Sequence, residues 1–371
     1  MPDSKPLFDI LIVGTGPGGT IAAKTAAENG YSTCIIDKEK IGSNGRYKAC
    51  GGAVAWKLIE DINYPQEKIA RIIETLELHH IDGEHYSKKG KGAVVWRSIF
   101  DKHLLDIASD NGAIVKENEQ LVQLKRKEGK FDIITKNSRF QAKYLIAADG
   151  AASTTLKLLS WPYFKPSDLI LTITHEMKSS KFLINDNLGK ESVHLFWGKN
   201  LIPVGYAWLF PKEDTITVGW GNQINLIKNS REEFNKFLSL SFVRKALSKS
   251  HKTIYKPHLI PVGLRPKLYE SNVFAVGDAG GLVDPISGKG IPYAMMSGKI
   301  ALESIITCEN KGKLTEIGNT YRQNLSKKFL KVLKLKREMR DRIFKSDENL
   351  KNFLSLWQKY RSSEILIKGL I

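Results

Sequence analysis

The sequence predicts an α/β fold in three parts: a Rossmann-like domain, an antiparallel β-sheet domain inserted into it, and a helical C-terminal region. Three observations predict it. Residues 10–13, 33–36, 144–147 and 273–276 are short, almost wholly apolar runs, the pattern of strands buried on both faces of a parallel sheet. Between residues 169 and 220 the runs turn β-branched and aromatic and recur at hairpin spacing, the texture of an antiparallel sheet. Beyond residue 300 the apolar positions Val332, Leu335, Met339 and Ile343 keep helical spacing.

The strand at 10–13 runs into Gly14-Thr15-Gly16-Pro17-Gly18-Gly19, an alanine-rich helical stretch over 20–29, and a second strand that stops at Asp37-Lys38. Gly14 permits a tight turn, Gly16 lets backbone amides approach a pyrophosphate, and Gly19 lets helix and strand pack closely. The helix N-terminus then faces phosphates, and Asp37 can accept from a ribose hydroxyl. Strand, glycines, helix, strand and acid in that order specify a dinucleotide site. A glycine-rich turn of an ordinary α/β domain would not require the acid.

Residues 38–52 read as a loop that ends in Lys48-Ala49-Cys50-Gly51-Gly52, a thiol set in side-chain-free backbone that can approach a flat ligand. Arg46 and Lys48 would favour the thiolate if they point toward it. Residues 53–90 read as a helix followed by a polar excursion. Residues 94–108 read as a strand end entering a helix, with Arg97 at the junction, where a guanidinium can grip a phosphate through two bonds. Meander strands are expected over 112–124, which includes Leu121, and 131–135, with a turn at Glu128-Gly129. The strand at 144 ends in Asp149-Gly150. Sheet strands follow at 169–177, 192–197, 205–210 and 215–220, then helical periodicity over 230–250. At 272–297 the parallel texture returns, with Gly277-Asp278, a glycine-rich loop through Gly288, Gly290 and Ile291, and a small-residue helix. The expected domains are therefore 1–160, the discontinuous first domain with the cysteine loop; 161–265, the sheet domain; 266–300, the first domain's return; and 301–371, a basic helical region.

At 371 residues and 42% hydrophobic content the chain can bury one large or two modest cores. No apolar window is long enough to span a bilayer and no cleavable signal precedes Phe8, so a cytoplasmic location is expected. Cys34, Cys50 and Cys308 lie far apart and suggest no disulfide framework, which fits a reducing compartment. No residues are assigned to a metal. A net charge of +18 is compatible with an anionic membrane surface or a phosphorylated substrate. No nucleic-acid motif accompanies it, and nucleic acid is not expected as a partner. The basic tail (Lys327, Lys328, Lys331, Lys334, Lys336, Arg337, Arg340, Arg342) reads either as an interfacial amphipathic helix or as a solvated helix packed on the fold.

Taken in order, GTGPGG with Asp37, then WRSIFDKHL, IAADGAAS and VGDAGGLVDPISGKGI resemble the flavoprotein group typified by p-hydroxybenzoate hydroxylase. KACGG, and Tyr206-Ala207-Trp208-Leu209-Phe210-Pro211 followed by Gly219-Trp220-Gly221, resemble the cysteine loop and the YxWxFP…GxG signature of geranylgeranyl reductases. The resemblance covers roughly residues 8–300 and implies a resident FAD. By it, Gly14–Gly19, Asp37, Lys38, Lys48–Gly52, Arg97, Leu121 through its backbone, Asp149, Gly150, Gly277, Asp278, Gly288, Gly290 and Ile291 would hold the cofactor. Tyr206, Trp208, Phe210, Pro211, Gly219 and Gly221 would line an isoprenoid-lipid pocket, with Cys50 above the flavin as the catalytic residue. The implied reaction is hydride transfer from reduced flavin to C=C bonds of the geranylgeranyl chains of an archaeal-type ether lipid precursor or prenyl diphosphate. Electrons would come from NAD(P)H or from a redox carrier such as ferredoxin. Two rivals share the scaffold: a flavin monooxygenase and a non-enzymatic prenyl-binding escort.

Overall fold

The computed structural model describes residues 6–359. In chain order the strands and helices are β1 (Leu7–Val13), α1 (Pro17–Glu28), β2 (Thr33–Ile36), β3 (Ala53–Ala55), α2 (Trp56–Asp61), β4 (Ile69–His80), β5 (His85–Val95), α3 (Arg97–Asp110), β6 (Ile114–Lys116), β7 (Leu121–Lys127), β8 (Lys130–Thr135), β9 (Arg139–Ala147), α4 (Thr154–Leu158), β10 (Leu169–Lys178), α5 (Lys181–Leu188), β11 (Ser192–Gly198), β12 (Ile202–Pro211), β13 (Thr215–Gln223), α6 (Ser230–Ser239), α7 (Ser241–Ala246), β14 (His251–Pro261), β15 (Tyr269–Glu270), β16 (Val273–Ala275), α8 (Ile291–Asn310), α9 (Ile317–Leu325), α10 (Lys331–Ile343) and α11 (Asp347–Lys359).

These elements form two compact units. The first takes in the chain up to Tyr47, Ser98–Asp168 and Ile260–Leu335. Its sheet runs β15-β16-β9-β1-β2-β6, with β1, β2, β6, β9 and β16 paired in parallel and the β7–β8 hairpin joined to β9. Apolar residues cover both sheet faces: Ile10, Ile12 and Ile35 pack with α1, α8 and α9, while Leu11, Val13 and Leu145 pack with Phe131 and Leu156. That double burial is why these strands lack an apolar/polar alternation.

The second unit takes in Lys48–Arg97, Leu169–Leu259 and the chain from Lys336. Its sheet runs β14-β10-β13-β12-β11-β4-β5-β3. On one face, Phe196, Ala207, Leu209, Val218 and Trp220 pack against Phe234, Phe237 and other residues of α5–α7.

The boundaries depart from the expected ones. Residues 48–97, with the cysteine loop's end, group with the inserted sheet rather than with the nucleotide-binding part, because β4 pairs with β11. That pair is parallel, so the sheet is not purely antiparallel. The expected helix and polar excursion over 53–90 is chiefly a long β4–β5 hairpin closed at Asp82-Gly83, with only a short helix at α2. The tail divides: α8 and α9 belong to the first unit, and residues from Lys336 to the second. Residues 360–371 of the expected tail and residues 1–5 lie outside the described residues. Among those described, no helix is long and apolar enough to cross a membrane.

Candidate active site

In the first unit the chain enters α1 through Gly14, whose φ is +106°. A Cβ there would lie 2.6 Å from the Ala148 carbonyl carbon, so only glycine fits the turn. Gly16 caps α1 with open space on its Cβ side, and nothing acidic or side-chain-capping occupies the helix's first turn. The uncapped amides and the room beside them suit a pyrophosphate. At the end of β2, the buried Asp37 carboxylate accepts from Thr15 N at 2.9 Å, Thr15 Oγ1 at 2.6 Å, Arg46 at 3.0 Å and Glu39 N at 3.0 Å. The main chain of Asp37 bonds Lys116 O and Glu119 N, which sets the 116–121 segment, leading into Leu121, beside it. These residues fit the adenosine diphosphate half of FAD, because the acid is fixed by donors that leave Oδ1 with acceptor capacity.

Two loops complete this unit's cradle. Asp149 turns its carboxylate back into its own segment, accepting from Ser153 Oγ, Thr155 N and Thr155 Oγ1 at 2.5–2.9 Å. Burial pushes its proton affinity up, against the pull of those bonds. It is an anchor of the loop at Gly150 rather than a side chain aimed outward. Gly277 donates to Ser297 Oγ at 2.9 Å and leads to Asp278, whose carboxylate neighbours Gly290 at the start of α8. The amide of Gly288 is already bonded to Asp284 O, so it is not available to lie free along a flavin ring. Arg265, absent from the sequence-level site, ties both loops together. It donates to Ala279 O at 2.7 Å, Pro162 O at 2.6 Å and Ala151 O at 3.3 Å. A lone arginine after a proline-rich strand end carries no motif by which it could be found. Asp284, which accepts from Ile286 N and Ser287 N at 3.0 Å, was likewise not singled out.

The second unit carries the other sequence-level residues. Tyr206, Trp208 and Phe210 share the β12 face opposite the α5–α7 core, with ring centroids 5.8 and 6.4 Å apart. Trp197 extends the row at 5.6 Å from Tyr206. In register, Tyr206 faces Gly221 and Trp208 faces Gly219 on β13. A Cβ on Gly219 would collide with the six-membered part of the Trp208 indole, which gives the GxG half of the signature a steric meaning. Pro211 ends the strand. The cysteine loop lies against this face: a Cβ on Gly51 would overlap the Phe210 ring and sit 3.3 Å from Trp208 Nε1. Cys50 is half-buried, its Sγ accepting from Gly52 N at 3.4 Å. Gly52 then accepts from Val95 N at 3.0 Å. Arg97, buried, starts α3.

Neither flanking cation is committed to the thiol. Arg46 is bound to Asp37 and, at 3.4 Å, to Asp101, and Lys48 is bound to His258 Nε2 at 3.0 Å. The basic group that acts on Cys50 is Lys212, which follows Pro211 and is 2% exposed. Its Nζ sits 3.6 Å from the Trp96 ring centre and bonds Glu176 Oε1 and Oε2 at 3.3 and 3.2 Å, with Thr217 Oγ1 closer still. Burial pushes the Lys212 ammonium below its ordinary proton affinity, while Glu176 pulls the other way.

A family model for a pyridine nucleotide-disulphide oxidoreductase domain matches residues 8–174, and one for a geranylgeranyl reductase catalytic domain matches residues 176–256. A digeranylgeranylglycerophospholipid reductase of Methanocella arvoryzae is 32% identical over 333 residues, spanning 84% of this chain and 80% of its own. One from Methanococcus aeolicus is 30% identical and spans 89% and 86%. A crystal structure described as geranylgeranyl bacteriochlorophyll reductase-like, from Thermoplasma acidophilum, superposes with a TM-score of 0.87 at 24% identity, covering 99% of this chain and 96% of that one. A flavin-dependent brominase shares the fold, with a TM-score of 0.75 at 16% identity over 91% and 87% of the two chains. The glycine cradle with Asp37 in one unit, the aromatic strand under a cysteine loop in the other, and relatives at this identity over most of their length lead to one assignment: the chain belongs to the geranylgeranyl reductase family of FAD-dependent oxidoreductases.

Proposed function

We propose that the protein reduces C=C bonds in the geranylgeranyl chains of an archaeal-type ether phospholipid or its precursor. The observation that carries this reading is the β12 face, where Tyr206, Trp208 and Phe210 form an aromatic wall that Gly219 and Gly221 leave room for. An isoprenoid chain offers no hydrogen bonds, so it must be positioned by apolar contact alone. When bound and reduced, FAD supplies a hydride from N5. An isolated trisubstituted alkene accepts hydride at one carbon only if a proton reaches the other. Cys50, half-buried at the edge of the aromatic face, is the group of this chain placed to hold that proton.

In the first unit the α1 amides and Asp37 hold the dinucleotide end, and Arg265 keeps the Gly150 and Gly277 loops in register. One glycine-rich unit supports one resident nucleotide, so the electron donor is a visitor, either NAD(P)H or a ferredoxin-type carrier. The exposed basic residues at 327–334 and the net charge support loose contact with an anionic membrane, where such a substrate resides.

Incubating the dithionite-reduced protein with geranylgeranyl diphosphate or digeranylgeranylglycerol phosphate, followed by lipid mass spectrometry, tests the reading. Gains of two hydrogens per bond are expected. No gain with either substrate overturns it. Cys50→Ala should keep FAD and lose about 100-fold in turnover, the lower range for losing a positioned general acid. Wild-type turnover in that variant removes Cys50 from the reaction.

A further inference from the structure

The Lys212–Glu176 pair poses a question that packing does not answer. Both side chains are at most 2% exposed, and the pair lies on β-strand positions where Val or Thr would complete the sheet. Taking two charges out of water costs several kcal/mol per ion, and replacing such a pair by well-packed neutral groups is often neutral or stabilising. Stability alone therefore gives no reason for it. The pair is also built with care. Thr217 Oγ1 donates to Glu176 Oε2 at 2.9 Å and meets Lys212 Nζ. Arg71, on β4, donates to Lys212 O at 3.0 Å from Nε and at 2.6 Å from Nη2, fixing the backbone from which the lysine projects. The Trp96 ring covers the ammonium.

The face on which this pair sits is the face under the cysteine loop. Glu176 and Thr217 stand opposite each other on β10 and β13, and Thr217 stands opposite Phe210 on β12. Phe210 is the ring that meets Gly51. The next cross-strand row, Thr174–Gly219–Trp208, holds two buried polar atoms, Thr174 Oγ1 and Trp208 Nε1, with no partner among the described residues. This face thus keeps hydrogen-bonding capacity that the fold does not consume.

We propose that Lys212, held by Glu176 and Thr217, is the positioning residue that returns a proton to Cys50 after each bond reduction. The inference rests on the Cys50 role given above. In the reaction the π bond breaks and two C–H bonds form, one from the hydride that the established chemistry supplies and one from the Cys50 S–H. The thiolate left behind takes a proton from the Lys212 ammonium. The neutral amine stays bonded to Thr217 and Glu176 and regains its proton from water. Each cycle therefore adds one hydride and one proton to the substrate and leaves the protein unchanged. Burial lowers the cost of deprotonating Lys212, while the Glu176 carboxylate keeps it charged between turnovers. Other charged groups on the surrounding elements are engaged: Lys48 with His258, and the Arg71 guanidinium with Asn185 Oδ1 and the carbonyls of Lys190 and Lys212.

Alkylation of Cys50 by iodoacetamide, followed by peptide mass spectrometry from neutral to alkaline pH on the FAD-free and FAD-loaded protein, tests the coupling without turnover. Cys34 and Cys308 are 0% and 3% exposed, so the fast signal belongs to Cys50. In Lys212→Met the pH of half-maximal alkylation should rise by about one unit, the shift expected when a nearby opposite charge is lost. Lys212→Met leaves a buried carboxylate alone, so the neutral double variant Lys212→Met/Glu176→Gln provides a second route if the single variant does not fold. It should show the same rise, and Lys212→Arg should restore the wild-type profile. An unshifted profile in the folded Met variants overturns the proposal. A shifted profile with full turnover by Cys50→Ala would instead fault the Cys50 role, so the two failures are separable.

Discussion

Trp208 has its place because residue 219 has no side chain. The indole lies over Gly219 on the neighbouring strand, and any Cβ there would overlap its ring atoms. Gly219→Val should therefore displace the aromatic wall while leaving the other unit's nucleotide cradle intact. The expected result is unchanged FAD absorbance per protein with turnover reduced at least 10-fold, because misplacing a substrate by about 1 Å can cost a hundredfold. Full turnover in that variant would show that the wall does not position substrate. Gly14 makes the contrasting case. Its φ of +106° and its approach to Ala148 mean that Gly14→Ala strains the turn into α1. A loss of about 1–3 kcal/mol and weakened FAD retention are expected, read by thermal melting and flavin release. At this scale the sequence was legible wherever a residue type has a steric or covalent peculiarity: glycine, the thiol, the acid ending β2. It was silent on Arg265 and Lys212. Their importance lies in which carbonyls and carboxylates surround them, and a long basic side chain reads the same on a surface as in a core.

The β4–β5 hairpin shows why a strand can hide. β5 begins with His85, Tyr86, Ser87, Lys88 and Lys89, and turns apolar only at its end, where Ala93, Val94 and Val95 are buried. A sheet edge with one wet face gives a weak period-2 signal, and the Asp82-Gly83 turn was the available cue. By contrast β12 and β13 were legible because both faces are lined by aromatics or aliphatics. The hairpin also carries a pH-sensitive cluster. His79 on β4 bonds His194 on β11 through ring nitrogens 3.0 Å apart and stacks on His85 and Phe196. Burial, with His194 and His85 adding repulsion, pushes the His79 proton affinity down to about 3, and burial lowers that of His194 as well. The unfolded chain would bind protons near pH 6.5, the folded one only far below. Stability is then fully held above the unfolded value and erodes as pH falls from there toward about 3. By pH 5 the cost from His79 should be roughly 1–2 kcal/mol. His79→Gln should flatten the fall in melting temperature between pH 6.5 and pH 5. An equally steep fall in that variant would place the acid sensitivity elsewhere.

Across the whole molecule the +18 charge is the property that the fold leaves open. Packing settles one of the two readings of the basic tail. Leu333, Met339 and Ile343 are buried in α10, so its apolar face is already covered and is not free to enter a bilayer. What remains outside is charge: Lys327, Lys328, Lys331 and Lys334 are exposed along one helical face, at spacings of three and four residues. A surface of that kind attracts anionic headgroups without inserting, at about 1 kcal/mol per basic residue near the membrane. Sedimentation with vesicles should therefore show binding to anionic lipid at low salt and none to neutral lipid. The interaction should be lost by about 0.5 M salt, where the Debye length is only a few ångströms. Reversing Lys327, Lys331 and Lys334 to Glu should weaken vesicle binding more than 10-fold while turnover on detergent-dispersed substrate stays near wild type, since none of the three belongs to either site. Equal binding to neutral and anionic vesicles, or binding indifferent to salt, would mean that the charge serves something other than the lipid surface.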